Sequence, residues 1–134
     1  MENTEPRSNS KAMYWIGWVL GALPSLLLIL SGVLKLSGAG GEEARAEVAR
    51  LGWTTGLMTS IGIVEITCPV LYLIPQTSVL GAILITGFMG GAIATHVRIG
   101  DPFIIQALIG VLVWVGLWMR EPRLRDLIPL RRHN

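Results

Sequence analysis

The chain has 134 residues, of which 51% are hydrophobic and 15% are charged, and its formal net charge is +2. Soluble domains carry about 25% charged residues, so this composition is typical of a membrane protein and excludes an ordinary soluble enzyme. The small net charge gives no reason to expect nucleic-acid binding, and a single cysteine, Cys68, excludes an intrachain disulfide.

The first element is an apolar stretch behind a polar N-terminus. Residues 1–12 are polar and are predicted to be a disordered tail. The stretch over about residues 14–36 exceeds the roughly 20 residues that a helix needs to cross a bilayer. A cleaved signal peptide is the competing interpretation, but its apolar core is usually about 7–15 residues long. We therefore predict a first transmembrane helix.

A glycine-rich, charged segment follows the first span. Its glycines end the first helix, and residues 42–51 are predicted to form a short helix. Glu42 with Arg45, and Glu47 with Arg50, have the spacing of ion pairs on one helix face.

The second predicted span, about residues 53–74, carries Glu65 near its middle. A carboxylate at the centre of a spanning helix costs roughly 2.5–3.5 kcal/mol on insertion scales, so such residues are rare and usually functional. Two interpretations stay open: a functional carboxyl group, or a structural one that locks the bundle. Pro69 is predicted to kink the helix, and Cys68 is interpreted as a small apolar residue.

Two further spans are separated by a compact turn. The third is predicted over about residues 77–97 and the fourth over about residues 103–119, close to the short limit for crossing. Arg98 and Asp101 in the turn between them are predicted to form an ion pair. Residues 120–134 form a basic juxtamembrane tail. The sequence thus predicts an all-α membrane protein, a four-transmembrane-helix bundle over residues 13–119.

Lys and Arg residues indicate the orientation of the four spans, which place both termini on one side. The side of the termini has seven, namely Arg7, Lys11, Arg120, Arg123, Arg125, Arg131 and Arg132. The other side has four, namely Lys35, Arg45, Arg50 and Arg98. The positive-inside rule therefore predicts both termini in the cytoplasm, with the chain in the inner (plasma) membrane.

Small residues recur at a spacing of four. The pairs are Gly17 with Gly21, Gly52 with Gly56, and Gly87 with Gly91. Such pairs let membrane helices approach closely, which predicts packing within the bundle, and a homodimer is the alternative.

Five polar residues fall in the half of the bundle away from the termini: Lys35, Glu65, His96, Arg98 and Gln106. All of them except Arg98 are candidate ligand-binding residues. Ionisable groups inside membranes usually pair or line a cavity, so we predict a shared ligand-binding pocket in the outer half. Three of the candidates have a simpler interpretation: Lys35 reaching the headgroups, His96 bonded to a backbone carbonyl, and Gln106 bonded to a neighbouring helix. One histidine and one deep glutamate do not make a metal site, so no metal is predicted.

These motifs resemble the DoxX-like family. The resemblance is carried by residues 31–36 at the end of the first span, Glu65, residues 94–96, and the Asp101-Pro102 turn, and it covers about residues 14–119. It implies a bacterial-type four-helix integral membrane protein. The family is named after a membrane subunit of an archaeal thiosulfate:quinone oxidoreductase, and relatives are tied to methylamine utilisation and redox homeostasis.

The resemblance implies an accessory subunit of a membrane redox system rather than an enzyme acting alone. Its partners would be the lipid bilayer and a redox protein, and its ligand a quinone-like or other amphiphilic small molecule. Glu65 would exchange a proton, Lys35 or His96 would stabilise charge, and Gln106 would orient the ligand. Two alternatives stay open: a structural or assembly protein without a ligand, and a small proton-coupled transporter, for which no internal repeat or broken helix is evident.

Overall fold

In the computed structural model, residues 10–131 are described, and this part of the chain is all-helical, without a strand. The helices are α1 (Lys11–Ser37), α2 (Gly41–Arg50), α3 (Thr55–Leu73), α4 (Ser78–Arg98), α5 (Ile104–Arg120) and α6 (Pro122–Arg125), with a 3₁₀ turn over Pro75–Thr77. Residues 1–9, which were predicted to be disordered, lie outside the described residues, and so does the basic residue Arg132.

Four of these helices are apolar, as predicted. The segments Lys11–Ser37, Thr55–Leu73 and Pro75–Arg98 are long and apolar enough to cross a membrane. The fourth, α5, has 17 residues and is at the lower limit of a span. The prediction of an all-α membrane bundle is confirmed.

Side-chain caps set where two of the spans begin. The Ser10 hydroxyl accepts from the backbone N–H of Met13 at 3.2 Å, so α1 starts at Lys11, earlier than predicted. The Thr54 hydroxyl likewise accepts from the N–H of Leu57 at 3.3 Å and starts α3. At its other end α1 stops at Gly38, whose φ of 68° is readily adopted only by glycine.

The four long helices form a ring in the order α1, α3, α4, α5, because α1 packs against α3 and α5, and α4 packs against the same two. We call the end at which α2 lies the α2 end, and the end at which α1 begins the opposite end. The buried core lies mostly towards the opposite end. Its members are Leu28, Cys68, Tyr72, Ala82, Ile85, Met89, Val113, Leu117 and Leu124.

Glycines allow close packing at two helix crossings. A Cβ on Gly17 would lie 2.7 Å from the carbonyl oxygen of Gly116, so α1 and α5 touch through their backbones, as predicted for the first small-residue pair. A Cβ on Gly32 would lie 2.9 Å from the carbonyl oxygen of Gly62, which joins α1 to α3 in the same way. Sequence reasoning missed this second crossing because neither Gly32 nor Gly62 has a small residue four positions away on its own helix.

The predictions for the other two small-residue pairs are wrong within the bundle. Nothing lies within 4 Å of a Cβ built on Gly56, Gly87 or Gly91, and Gly52 lies in a turn with φ of 83°. Gly87 and Gly91 leave space inside the bundle instead of drawing helices together.

A buried arginine closes the opposite end. Arg120 is 8% exposed, and its guanidinium lies 3.9 Å from the ring centroid of Trp18 and 4.8 Å from that of Tyr72. It donates to the carbonyl oxygen of Tyr72 at 3.3 Å, and the Ser78 hydroxyl donates to the same oxygen at 2.8 Å. Two aromatic faces and the carboxyl end of α3 therefore stabilise this cation in place of a carboxylate.

Candidate functional site

Glu65 and Lys35 form an ion pair inside the bundle. Glu65 is 4% exposed, and its Oε2 accepts from Lys35 Nζ at 2.5 Å, which joins α3 to the last turns of α1. Lys35 Nζ also donates to the hydroxyl of Ser31, one turn earlier in α1, at 2.8 Å. The Lys35 side chain is 28% exposed, so the pair runs from the interior towards the surface at the α2 end.

The pair lines a cavity of about 460 Å³ in the α2 half of the bundle. This volume is within the usual range for small-molecule sites, about 300–1,000 Å³. All four residues predicted as ligand-binding, Lys35, Glu65, His96 and Gln106, are part of its lining. Apolar side chains make up most of the rest, among them Leu27, Leu28, Trp53, Met58, Ile61, Phe88, Met89, Ile105 and Ile109.

The cavity exists because small residues line one wall. Gly87 and Gly91 of α4 both border it, and neither has a neighbour where a Cβ would lie. Side chains at these positions would occupy the space that the cavity now holds. The glycine pair therefore shapes the cavity.

His96 and Gln106 form a second pair in the lining. His96 Nδ1 lies 2.8 Å from the carbonyl oxygen of Ala92, which only accepts, so Nδ1 carries the proton of this hydrogen bond. Gln106 Nε2 lies 3.3 Å from His96 Nε2, and in the tautomer with the proton on Nδ1 the amide donates to this second ring nitrogen. Gln106 Oε1 is buried and has no hydrogen-bond partner among residues 10–131.

The structure thus divides the predicted set into two pairs around one cavity. Lys35 contacts Glu65, and His96 contacts Gln106. Across the described part of the chain, no hydrogen bond joins one pair to the other. The simpler interpretations of His96 and Gln106, a carbonyl bond and a bond to a neighbouring helix, are both observed.

The segment after α2 closes the cavity on the α2 end. Leu51 and Trp53 belong to the lining. The Arg98 Nη2 group donates to the Leu51 carbonyl oxygen at 2.5 Å and so holds this segment against the end of α4. Sequence reasoning did not identify Trp53 as part of the site, because no local pattern places it over the bundle.

The predicted Arg98–Asp101 ion pair is wrong. Arg50 of α2 takes Asp101 instead, with Nη2 at 2.5 Å from Oδ2, while Arg98 turns to the free carbonyl at the end of α2. Arg50 also donates to Glu47 at 2.7 Å, and Arg45 to Glu42 at 3.0 Å, so both predicted helix pairs are confirmed.

The Arg50 contacts are sensitive to pH. The guanidinium of Arg50 donates hydrogen bonds to Glu47 and Asp101 and lowers the pKa of each carboxyl below its usual range. The same contacts raise the pKa of Arg50. A carboxyl with a lowered pKa stabilises the folded arrangement above its unfolded pKa, and that contribution is lost as the pH falls through the folded pKa.

We expect α2 to loosen in acid before the bundle does. None of its residues is buried, so charge contacts make up much of its attachment. Hydrogen exchange of the amides from Glu47 to Trp53, corrected for intrinsic rates, should accelerate as the pH falls below the carboxyl pKa values. Asp101→Asn should accelerate it already at neutral pH and reduce the pH dependence. Equal protection of wild type and Asp101→Asn at neutral pH would contradict this role of Arg50.

The sequence model of the DoxX-like family matches residues 19–119. The chain belongs to the DoxX-like family. No curated protein and no solved structure gives a significant match to the sequence. The matched part of this DoxX-like protein contains α2 to α4, most of α1, nearly all of α5, and every residue of the cavity lining.

Proposed function

We propose that this DoxX-like protein binds an amphiphilic, quinone-like small molecule in its cavity and serves as an accessory subunit of a membrane redox system. The observation that carries the proposal is the buried Lys35–Glu65 pair at the edge of a largely apolar cavity. Ligand sites have this character: apolar walls with a few convergent polar groups. The redox setting is taken from the family's namesake, a membrane subunit of a thiosulfate:quinone oxidoreductase.

The ligand would enter from the bilayer. Leu27 and Ile105 line the cavity and are also 61% and 71% exposed on the outside of the bundle. The cavity therefore reaches the lipid-facing surface, and a membrane-soluble molecule has a lateral route into it. A soluble ligand would have to pass the segment that contains Leu51 and Trp53.

The polar groups provide binding, orientation and proton exchange. Lys35 Nζ can donate to a ligand carbonyl oxygen, and Gln106 Oε1, which has no partner in the described chain, can accept from a ligand hydroxyl. Glu65 can exchange a proton with the same ligand. Electrons would pass between the ligand and a partner protein, while the apolar walls hold the ring and tail.

A structural role is the second candidate, because the Lys35–Glu65 pair joins α1 to α3 directly. An assembly protein would use the pair as a lock and leave the cavity empty or filled by ordinary lipid.

Analysis of co-purified lipids separates the two candidates. The full chain, purified in mild detergent, should yield a quinone on organic extraction, identified by mass and absorbance. It should also retain added decylubiquinone in native mass spectrometry. Phospholipid alone in the extract, together with no retention of decylubiquinone, would favour the structural role.

We also propose that both termini face the cytoplasm and that the chain lies in the plasma membrane, which follows from the Lys and Arg asymmetry of the sequence. A reporter fused after Asn134 should give a cytoplasmic signal, and one inserted next to Glu43 should give the opposite signal. A periplasmic signal after Asn134 would invert the topology and place the cavity in the inner half of the membrane.

A further inference from the structure

The cations of the opposite end differ from those of the α2 end in their pairing. All four ion pairs within the described residues involve Lys35, Arg45 or Arg50, which belong to α1 near its C-terminus and to α2. In residues 10–131, Arg123 and Arg131 have no carboxylate within ion-pair distance. The nearby Glu121 accepts instead from the backbone N–H of Arg123 at 3.2 Å, as the cap of α6.

An apolar groove is lined by residues close in sequence to these arginines, since Leu124 follows Arg123 and Ile128 is three positions before Arg131. We call it the C-terminal groove, and it is lined by Trp114, Val115, Trp118, Leu124 and Ile128, with a volume of about 280 Å³. Both indole N–H groups already have acceptors, since Trp114 donates to the Thr86 hydroxyl at 2.6 Å and Trp118 to the Ile128 carbonyl oxygen at 3.1 Å. The groove therefore presents only apolar surface.

The segment after α6 adds exposed apolar side chains between the arginines. Leu127 is 59% exposed and Leu130 is 79% exposed, in a stretch that ends at Arg131. Hydrophobic side chains next to exposed cations are typical of segments that lie in the headgroup region of a membrane. The Arg125 guanidinium, 5.8 Å from the Trp118 ring centroid, places a further positive charge at the edge of the groove.

We propose that the C-terminal groove, with Arg123 and Arg131, is a binding site for an anionic phospholipid. An acyl chain fits the apolar groove, and the lipid phosphate supplies the negative charge that the two arginines lack within the described chain. Guanidinium groups bind phosphate oxygens in a bidentate manner and are more weakly hydrated than ammonium groups. A zwitterionic lipid would offer the same chain without the net charge.

Lipid competition in native mass spectrometry tests the headgroup. The full chain, delipidated in detergent, is offered equal amounts of phosphatidylglycerol and phosphatidylcholine with identical acyl chains. Wild type should retain the anionic lipid preferentially. Each of Arg123→Gln and Arg131→Gln should reduce that preference about fivefold, the effect of roughly one basic residue near an anionic surface. Arg45→Gln, an exposed arginine of α2, is the matched control and should leave it unchanged.

A second variant pair tests the groove. Val115→Trp fills the C-terminal groove and should reduce retention of both lipids, while Val111→Trp, an exposed α5 position one turn away outside that groove, should not. Inorganic phosphate at millimolar concentration should not displace the anionic lipid. Equal retention of the two lipids by wild type, or an unchanged preference in the Arg123→Gln and Arg131→Gln double variant, would overturn the proposal. Displacement of the anionic lipid by phosphate would show that the acyl chain does not contribute to binding in the C-terminal groove.

Discussion

Lys35→Met is expected to destabilise the protein much more than Glu65→Gln. Glu65 is 4% exposed, and without Lys35 its carboxylate loses its charged partner. Removing one partner of a buried ion pair typically costs about 3–5 kcal/mol, because the other charge is left uncompensated. Glu65→Gln leaves the Lys35 ammonium without its carboxylate partner. The Lys35 side chain is 28% exposed, however, and keeps its hydrogen bond to the Ser31 hydroxyl. The amide oxygen that this substitution introduces can also still accept from Lys35.

The double variant measures the coupling free energy between Lys35 and Glu65. Lys35→Met combined with Glu65→Gln removes both charges and should be more stable than Lys35→Met alone. Reversible unfolding in detergent, followed by circular dichroism for wild type, both single variants and the double variant, gives the coupling free energy. Equal losses of unfolding free energy in the two single variants, with the double variant losing their sum, would contradict this prediction. Such a result would mean that Glu65 does not depend on Lys35 for its stability.

The same series separates ligand binding from architecture. If the pair serves a ligand, Glu65→Gln should fold normally and lose retention of decylubiquinone. If the pair is only a lock between α1 and α3, wild type itself should retain no decylubiquinone, and Glu65→Gln should change stability alone. The exposure of Lys35 favours normal folding of Glu65→Gln in either case, since its ammonium can reach water without Glu65, so the retention of decylubiquinone is the deciding measurement.

The Lys35–Glu65 contact could be predicted because membrane insertion restricts where charges go. Each residue is costly in an apolar span, and the turn positions place both in the same half of the bundle. The spans themselves were predictable for the same reason, because runs of apolar residues long enough to cross a bilayer are few in any sequence. The depth of a charged residue along a span can therefore be predicted from the sequence.

Contacts between side chains of different helices could not be predicted in the same way. Arg98 and Asp101 are three residues apart, and local spacing favours their pairing, yet Arg50 takes Asp101. That outcome depends on how α2 folds over the turn before α5, which no local pattern encodes. Arg120 illustrates the same limit: the sequence groups it with the charges of the basic tail, but Trp18 and Tyr72, distant in sequence, enclose it.

The glycine pairs show that the same four-residue spacing can accompany either close helix packing or an open cavity. Gly17 and Gly21 draw α1 onto α5, while Gly87 and Gly91, with the same spacing, line a cavity. The sequence signal in both cases is the absence of a side chain. Whether a neighbouring helix or an open space occupies that position depends on where the large residues of the other helices point, and here the core packs towards the opposite end.

Gly91→Leu is expected to abolish ligand retention while Gly90→Leu preserves it. Both glycines lie in α4, and a Cβ on either would meet nothing within 4 Å. Only Gly91 borders the cavity, so a leucine there would occupy space that a quinone ring needs, whereas a leucine at position 90 would extend into the groove between α4 and α5. Replacing glycine inside a helix gains up to about 1 kcal/mol of helix propensity, so both variants should fold at least as well as wild type.

The measurement is the amount of quinone extracted, and of decylubiquinone retained, per mole of purified protein. We expect a loss of at least about tenfold for Gly91→Leu, since an occluded cavity forfeits more than the roughly 1.4 kcal/mol that a tenfold change in affinity represents. Gly90→Leu should match wild type. This comparison leaves Lys35, Glu65, His96 and Gln106 untouched, so a difference between the two variants reports the volume of the cavity and not its polar groups. Equal retention by the two leucine variants would show that the quinone binds elsewhere, and the Lys35–Glu65 pair would then be a lock between α1 and α3.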